Sequence, residues 1–286
     1  MKIGIIGAEN SHTAAIAKTL NVEKRVKGFT VESVWGETEA FAKAAAEAGQ
    51  IPVVVRDPSE MMGKIDALIV DHRHAKFHLA AALPFVKAGI PTFVDKPFCY
   101  RSAEGKEFLA AARQAGTPVT SFSTLPHQKA FKSLVGKMAK LGEIVGGVTF
   151  GPCDLESPYG GVFFYGIHQV EVALAAFGYD VTAAQVIRGE KVALGRLLYD
   201  SGKAVTMHLV KSGCKGFAAV AAGSEGFCHQ ELTMDKSPYL NGIRAFTRMF
   251  RTRVEPLAYD RMLKPVQVLE ALEKSVASGA VEKVSA

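Results

Sequence analysis

The stretch Gly89-Ile90-Pro91-Thr92-Phe93-Val94-Asp95-Lys96-Pro97-Phe98 decides how this chain is read. Its first half is a turn followed by a short apolar strand, and it ends in an acid-Lys-Pro triplet whose proline fixes the turn. A cation is thereby delivered at the carboxyl end of a buried strand, where open parallel sheets keep their ligands. Taken alone, Lys96 reads equally as an electrostatic handle for a substrate or as an exposed loop residue. The sequence upstream bears on that choice.

Lys2 to Gly7 is an apolar run closed by glycine, and Ser11 to Leu20 is alanine-rich behind a polar cap, so the chain opens strand, tight loop, helix. Phe29 to Trp35 alternates as a strand, and Glu37 to Gly49 is helical with a glycine stop. Further strands are expected at Ile51 to Val55, Ala67 to Val70, Thr92 to Val94 and Pro118 to Phe122. Helices are expected at Pro58 to Gly63, Phe77 to Ala88 and Ala103 to Ala115. Strands alternating with helices over about 120 residues imply a parallel sheet covered on both faces, which is a doubly wound, Rossmann-like α/β domain. From Leu125 the pattern changes. A helix at Lys129 to Lys140 precedes Gly146 to Gly151, a glycine-aromatic stretch and a helix at Ile167 to Phe177. Strand-like runs then fall near Thr182 to Ile187, Val192 to Tyr199, Ala204 to Leu209 and Gly216 to Ala222. Short Gly, Asp and Ser turns between these runs describe an antiparallel sheet, and helices at Tyr239 to Phe250 and Tyr259 to Ser278 follow it. The expected division is a Rossmann-like domain over residues 1–123 and an α+β domain with a mostly antiparallel open sheet over 124–286.

At 286 residues and 48% hydrophobic, the chain has enough apolar material for two cores. No run approaches the ~18 apolar residues of a membrane span, and MKIGIIG enters a strand directly, so a cytoplasmic protein with no membrane partner is expected. Cys99, Cys153, Cys214 and Cys228 lack CxxC spacing, which argues against a zinc knuckle and a disulfide framework. The formal charge of +6 is spread along the chain, and Lys129, Lys132, Lys137 and Lys140 share a helical spacing that reads as a solvated face rather than a nucleic-acid surface.

The candidate sites follow from position. Gly7-Ala8-Glu9-Asn10-Ser11-His12 stands where a first strand-to-helix turn holds a dinucleotide diphosphate. Only the first of the three usual glycines is present; Glu9 replaces the second and His12 the third. A carboxylate aimed at a diphosphate is repulsive, so a polar turn without cofactor is the competing reading. After the second strand, Glu37 is placed to take ribose hydroxyls, with Trp35 where adenine could stack, although Glu37 could equally be a helix N-terminal acid. No basic residue neighbours it, which favours NAD over NADP. Asp71-His72-Arg73-His74 and His78 follow the next buried strand. Arg73 reads as a phosphate or carboxylate partner and His78 as a buried hydrogen-bonding residue, and no metal-binding framework such as HExxH is present. In Tyr165-Gly166-Ile167-His168, a histidine at the first turn of a helix is a candidate acid or base, with Tyr165 in reserve; a capping histidine among aromatics is the alternative.

With these residues on view, the chain resembles the glucose-fructose oxidoreductase, inositol dehydrogenase and MocA family of NAD(P)-dependent dehydrogenases. The likeness runs from KIGIIG through His78 and AGIPTFVDKPF, with Asp95 in the place of a glutamate. It continues through LGEIVGGVTF and YGGVFFYGIHQVEVALAAFG to VQVLEALEKSVASGAVEKV. It implies hydride transfer between nicotinamide and a sugar or polyol carbon, Lys96 beside the reacting hydroxyl, His168 as acid or base, a small-molecule substrate and a homo-oligomer formed through the second domain's sheet. Three departures are visible. Phe164 stands where the family often has aspartate, GAENSH replaces the glycine fingerprint, and Arg73-His74 replaces threonine-proline. They keep two other classes open: a cofactor-free ligand-binding or regulatory homologue, and an NAD-assisted glycosidase or lyase.

Overall fold

The structure, a computed structural model, describes residues 1–285. Two compact units form, Met1–Phe122 with Tyr239–Met262, and Ser123–Pro238 with Leu263–Ala286.

The first unit contains β1 (Lys2–Ile6), α1 (Ser11–Ala17), β2 (Thr30–Trp35), α2 (Glu39–Gly49), β3 (Val53–Val54), β4 (Ala67–Val70), α3 (His78–Lys87), β5 (Thr92–Val94), α4 (Ser102–Gln114) and β6 (Val119–Thr120). Its six strands lie in the order β3-β2-β1-β4-β5-β6, every pairing parallel. This is the expected doubly wound sheet. All four residues of β4 and the last four of β1 are buried, as strands covered on both faces require. The strand order reverses between β1 and β4, so the carboxyl ends of β1, β4 and β5 border the crevice where such sheets bind ligands. Side-chain caps place the helices there: Asn10 Oδ1 accepts from His12 N at the start of α1, and Thr38 Oγ1 accepts from Phe41 N at the start of α2.

The second unit is built from α5 (Lys129–Met138), β7 (Ile144–Pro152), α6 (Val162–Phe177), β8 (Val181–Ile187), β9 (Val192–Tyr199), β10 (Ala204–Val210), β11 (Ala218–Gly223) and β12 (Gly226–Glu231). These are followed by α7 (Leu240–Thr252), α8 (Tyr259–Ser278) and β13 (Glu282–Lys283). The sheet order is β12-β11-β7-β10-β9-β8-β13, antiparallel except for the β7–β10 pair. The expected, mostly antiparallel sheet thus carries one parallel pair: α6 lets the chain re-enter at β8 running the same way as β7, and two antiparallel returns through β9 bring β10 beside β7 in that direction. β12 and β13 were not expected: β12 is mostly exposed and β13 spans two residues, so neither carries a buried apolar alternation. On β9 and β10, Ala193, Leu197, Val205, Met207 and Leu209 are buried while Val192, Leu194, Thr206 and His208 alternate outward, leaving one face open.

One segment departs from a single cut at 123/124. Helix α7 belongs to the first unit, where Ile243, Phe246, Met249 and Phe250 join its core. Phe246 stacks on Phe93 of β5 at 4.5 Å, and Arg253 donates to the Gly116 carbonyl at 2.9 Å. An amphipathic helix goes to whichever apolar face completes its burial, and here that face belongs to the parallel sheet.

Candidate active site

The loop from β1 to α1 is built on Gly7, whose φ is +106°; a Cβ there would lie 2.6 Å from the Asp71 carbonyl carbon and the His72 nitrogen. Beyond it, the Ala8 and Glu9 N–H groups both donate to Glu37 Oε2, at 2.8 and 2.9 Å. Glu37 therefore does not cap α2; Thr38 does. Its second oxygen, Oε1, is buried and has no hydrogen-bond partner. A buried carboxyl oxygen in that state calls for a partner, and a ribose hydroxyl supplies one, so Glu37 fits the role expected of it toward a dinucleotide. The diphosphate end differs. The backbone donors of Ala8 and Glu9 are taken by Glu37, and the Glu9 carboxylate lies 3.6 Å from Arg73 Nη1. Glu9 is thus paired with a guanidinium rather than left as the isolated repulsive charge expected from sequence. Ser11 opens α1, exposed. Trp35 donates through Nε1 to Arg56 O, and its ring lies 5.8 Å from that of His72.

At the carboxyl ends of β4 and β5 lies a buried polar cluster. Asp95 Oδ2 faces three nitrogens: Asn10 Nδ2 at 3.2 Å, His12 Nδ1 at 3.2 Å and Lys96 Nζ at 3.4 Å. Asp95 and Lys96 are 5% and 8% exposed, so Lys96 is not a surface loop residue. Burial alone would raise Asp95, but the Lys96 ammonium and His12 outweigh it and hold the carboxyl below the ordinary range. Asp71, 0% exposed, goes the other way: burial, reinforced by the Asp95 charge, pushes its pKa well up. Hydrogen bonding agrees. Thr13 Oγ1 lies 2.8 Å from the Gly7 carbonyl and 2.5 Å from Asp71 Oδ2. Its single hydrogen can serve only one of these, and the Gly7 oxygen can only accept, so the other contact needs a proton on Asp71. Asn10 Nδ2 donates to the remaining Asp71 oxygen at 3.0 Å.

His12, Asp71 and Asp95 bring ligand atoms within 4.8 Å of one another, as a metal site would. The negative charge there is met by Lys96 and by the raised pKa of Asp71, and His72, His74 and His78, which follow β4, are not among these three groups. His74 caps a short turn by accepting from Lys76 N. His78 is fully buried, its ring nitrogens 2.8 Å from His72 O and 2.9 Å from Pro97 O, tying the β4 and β5 loops together as the buried hydrogen-bonding residue expected. His72 is buried with Nδ1 unpartnered, and burial, with the neighbouring His78, lowers it to about 4.

In the second unit, α6 begins at Val162, five residues before the expected start. His168 therefore lies in the second turn, buried, rather than in the first. Its Nδ1 is 2.8 Å from Ser123 Oγ, and its ring meets Tyr165 and Phe217 edge-on at 5.7 and 5.5 Å. Ser123 N donates at 2.6 Å to Oε2 of Glu171, one helical turn beyond the histidine, which fixes the serine against it. Nothing in the sequence pointed to Ser123. Phe164 packs between Tyr159 and Tyr165, 4.9 Å from each. Among the described residues no helix is long and apolar enough to cross a membrane. All four cysteines are free, and burial pushes the Cys153 thiol up to about 12.

Residues 1–122 match the family profile described as oxidoreductase family, NAD-binding Rossmann fold. A curated relative, the uncharacterized oxidoreductase YhhX of Escherichia coli (strain K12), is 27% identical over 204 residues, spanning 62% of this chain and 59% of the length of that protein. The fold is shared with solved structures at low identity. Scyllo-inositol dehydrogenase from Lactobacillus casei, with bound NAD(H) and scyllo-inositol, superposes with a TM-score of 0.85 at 14% identity, covering 100% of this chain and 99% of the other. GenD2 from gentamicin A biosynthesis, in complex with NAD, gives 0.86 at 15% identity over 100% and 97%. Over its first 122 residues, fewer than half of its length, the chain is thus similar to the Gfo/Idh/MocA oxidoreductases, whose matched domain is an NAD-binding Rossmann fold.

Proposed function

We propose that the chain is a nicotinamide-dependent oxidoreductase that moves a hydride between the cofactor and a hydroxyl-bearing carbon of a sugar, polyol or related small molecule, with NAD preferred to NADP. The observation that carries this reading is Lys96, a buried ammonium held by Asp95 at the carboxyl end of β5, on the crevice side of the sheet's switch point. Its placement suits a fixed positive charge beside an oxygen that becomes negative during reaction. The partnerless Glu37 Oε1 supports a ribose diol over a 2′-phosphate. A bound nicotinamide supplies the hydride acceptor or donor. Lys96 would steady the developing alkoxide, and His168, in the place given by the family resemblance, would take the hydroxyl proton, with Tyr165, whose ring lies 5.7 Å from that of His168, as the reserve acid or base. Support from relatives is of the same kind: the inositol dehydrogenase and GenD2 structures hold NAD on the same fold.

The test is a thermal-shift titration with NAD, NADH and NADP, followed by NADH formation with a panel of inositols, sugars and other polyols. A ligand that binds only the native state at 100 times its dissociation constant adds ~2.7 kcal/mol of stability, enough for a clear melting shift. An unmoved melting temperature at millimolar NAD and NADH rejects the cofactor assignment. A cofactor-free binding protein is favoured by one observation, that Glu37 already occupies the loop's backbone donors; NADH fluorescence separates the two. Product analysis with glycosides separates the NAD-assisted glycosidase or lyase. The open face of the second unit's sheet, with Val192 and Leu194 outward and the Phe150 ring tilted against His208 at 4.4 Å, supports a homo-oligomer formed there, to be checked by light scattering. A cytoplasmic location belongs to the same proposal.

A further inference from the structure

The residue that changes most between sequence and structure is His12. In a Rossmann loop of the usual pattern its position holds a small residue that lets the helix close on the strand; here it bears an imidazole whose Nδ1 sits 3.2 Å from Asp95 Oδ2. That oxygen also receives Lys96 at 3.4 Å. Imidazole and ammonium thus share one carboxylate oxygen. A carboxylate behind one ring nitrogen fixes the tautomer and frees the other nitrogen to exchange a proton, which is how aspartate orients histidine in acid–base centres generally. The charged and titratable groups facing this set are Asp71, Asp95 and Lys96, and Asp71 is engaged with Thr13 and Asn10. The His12 side chain is 17% exposed, against 9% for Lys96, 7% for Asp95 and 0% for Asp71, so among the titratable members it is the one with the most open path to water. The Tyr239 ring, 5.0 Å away in the same unit, packs against the imidazole.

We infer that His12 is a catalytic proton carrier of the first unit: Asp95 holds its Nδ1–H, and its Nε2 exchanges the proton of the hydroxyl that Lys96 polarises. The inference rests on the oxidoreductase reading above and departs from it in one step: the hydroxyl proton that reading gives to His168 goes to His12 instead. In the oxidising direction the carbon–hydrogen bond breaks with its electron pair and passes as hydride to nicotinamide. The oxygen–hydrogen bond breaks with its proton passing to His12 Nε2, and the carbon–oxygen double bond forms; reduction runs the same transfers backward.

The experiment has two arms on the full chain. In the first, nitrogen-15 histidine spectra are recorded without nucleotide, at a pH where imidazole is neutral, for the parent, His12→Gln and Asp95→Asn. The expected His12 carries its hydrogen on Nδ1 with Nε2 bare, and Asp95→Asn moves the His12 signals while leaving those of His168. A hydrogen on Nε2 with Nδ1 bare overturns the proposal, and this arm needs no substrate. In the second, NADH formation from the inositol panel is followed for the parent, His12→Gln and His168→Gln, alongside NAD binding by thermal shift. His12→Gln is expected to lower kcat by ~100-fold or more, with the NAD-induced melting shift kept. Parent-level kcat in His12→Gln, with loss only in His168→Gln, overturns it. A parent that gives no melting shift with NAD fails the oxidoreductase reading itself, before any variant is compared.

Discussion

Asparagine in place of the two aspartates of the buried cluster should give opposite results, although both carboxyls touch Asn10 and both are essentially inaccessible to water. Asp95→Asn removes the ionised partner of an ammonium that is 8% exposed. Uncompensated buried charge of this kind costs about 3–5 kcal/mol, a large part of the roughly 5–15 kcal/mol that holds a domain together. Asp71→Asn is close to a chemical copy of what is already there. The asparagine nitrogen can donate to Thr13 Oγ1 as the protonated acid does, and its oxygen can accept from Asn10, so near pH 4 the cost should stay within about 1 kcal/mol.

The pH dependence sharpens the contrast. Asp71 has a folded pKa raised above its unfolded value, so its contribution is fully present below the ordinary carboxylate range and is lost as pH rises toward the folded pKa. Between those limits the native state holds a proton that the unfolded chain has released. The stability of the parent relative to Asp71→Asn should therefore fall by about 1.4 kcal/mol per pH unit from near pH 4 upward. Asp95 is depressed: burial opposes the shift, and Lys96 and His12 impose it. Its contribution stands above the unfolded pKa and is lost as pH falls through the folded one. Urea denaturation of parent and both variants between pH 4 and 8 reads all of this. Parallel parent and Asp71→Asn curves, or equal losses for the two variants at pH 7, would refute the assignment of one proton to Asp71 and none to Asp95.

Three further outcomes are expected. Releasing Arg73 from its half-exposed pair with Glu9 should tighten NAD binding, so Glu9→Gly or Glu9→Gln is expected to lower the dissociation constant by about threefold to tenfold at low salt; calorimetry showing no change would mean that the diphosphate does not use this guanidinium. Lys96→Met should remove ~10²–10³ of turnover with NAD binding nearly kept, as loss of a fixed charge beside a developing alkoxide requires; a variant with the parent's kcat would take Lys96 out of the reaction. Gly7→Ala should destabilise the first unit by several kcal/mol, about 1–3 of it from the left-handed backbone alone, since the new Cβ meets backbone atoms at 2.6 Å that cannot rotate away; a melting temperature within error of the parent would show that the loop can rebuild itself.

What the sequence made legible is what periodicity encodes. Ala67 to Val70 announces a strand buried on both faces, Val192 to Tyr199 one buried on a single face, and Tyr259 to Ser278 a helix with both bounds. Periodicity says which face of an element is buried but not what it meets, so the return of α7 to the first unit and the link of Ser123 to His168 were out of reach. Glu37 was left between two roles, and the start of α2 shows only that Thr38, not Glu37, is the cap. The candidate site carries the deeper lesson. Glu9, His12, Arg73 and Asp95 are each a departure from the family pattern, and weighed singly each looks like a lost function. In the structure they are partners: Glu9 with Arg73, and His12 with Asp95, which also holds Lys96. Each pair joins the β1–α1 loop to the end of β4 or β5, positions more than sixty residues apart in the chain, and a charge introduced on one side without its partner would have faced the desolvation cost of an unpaired group. Departures that neutralise one another in space describe a site rewired around side chains, with the glycine loop's backbone donors given over to Glu37.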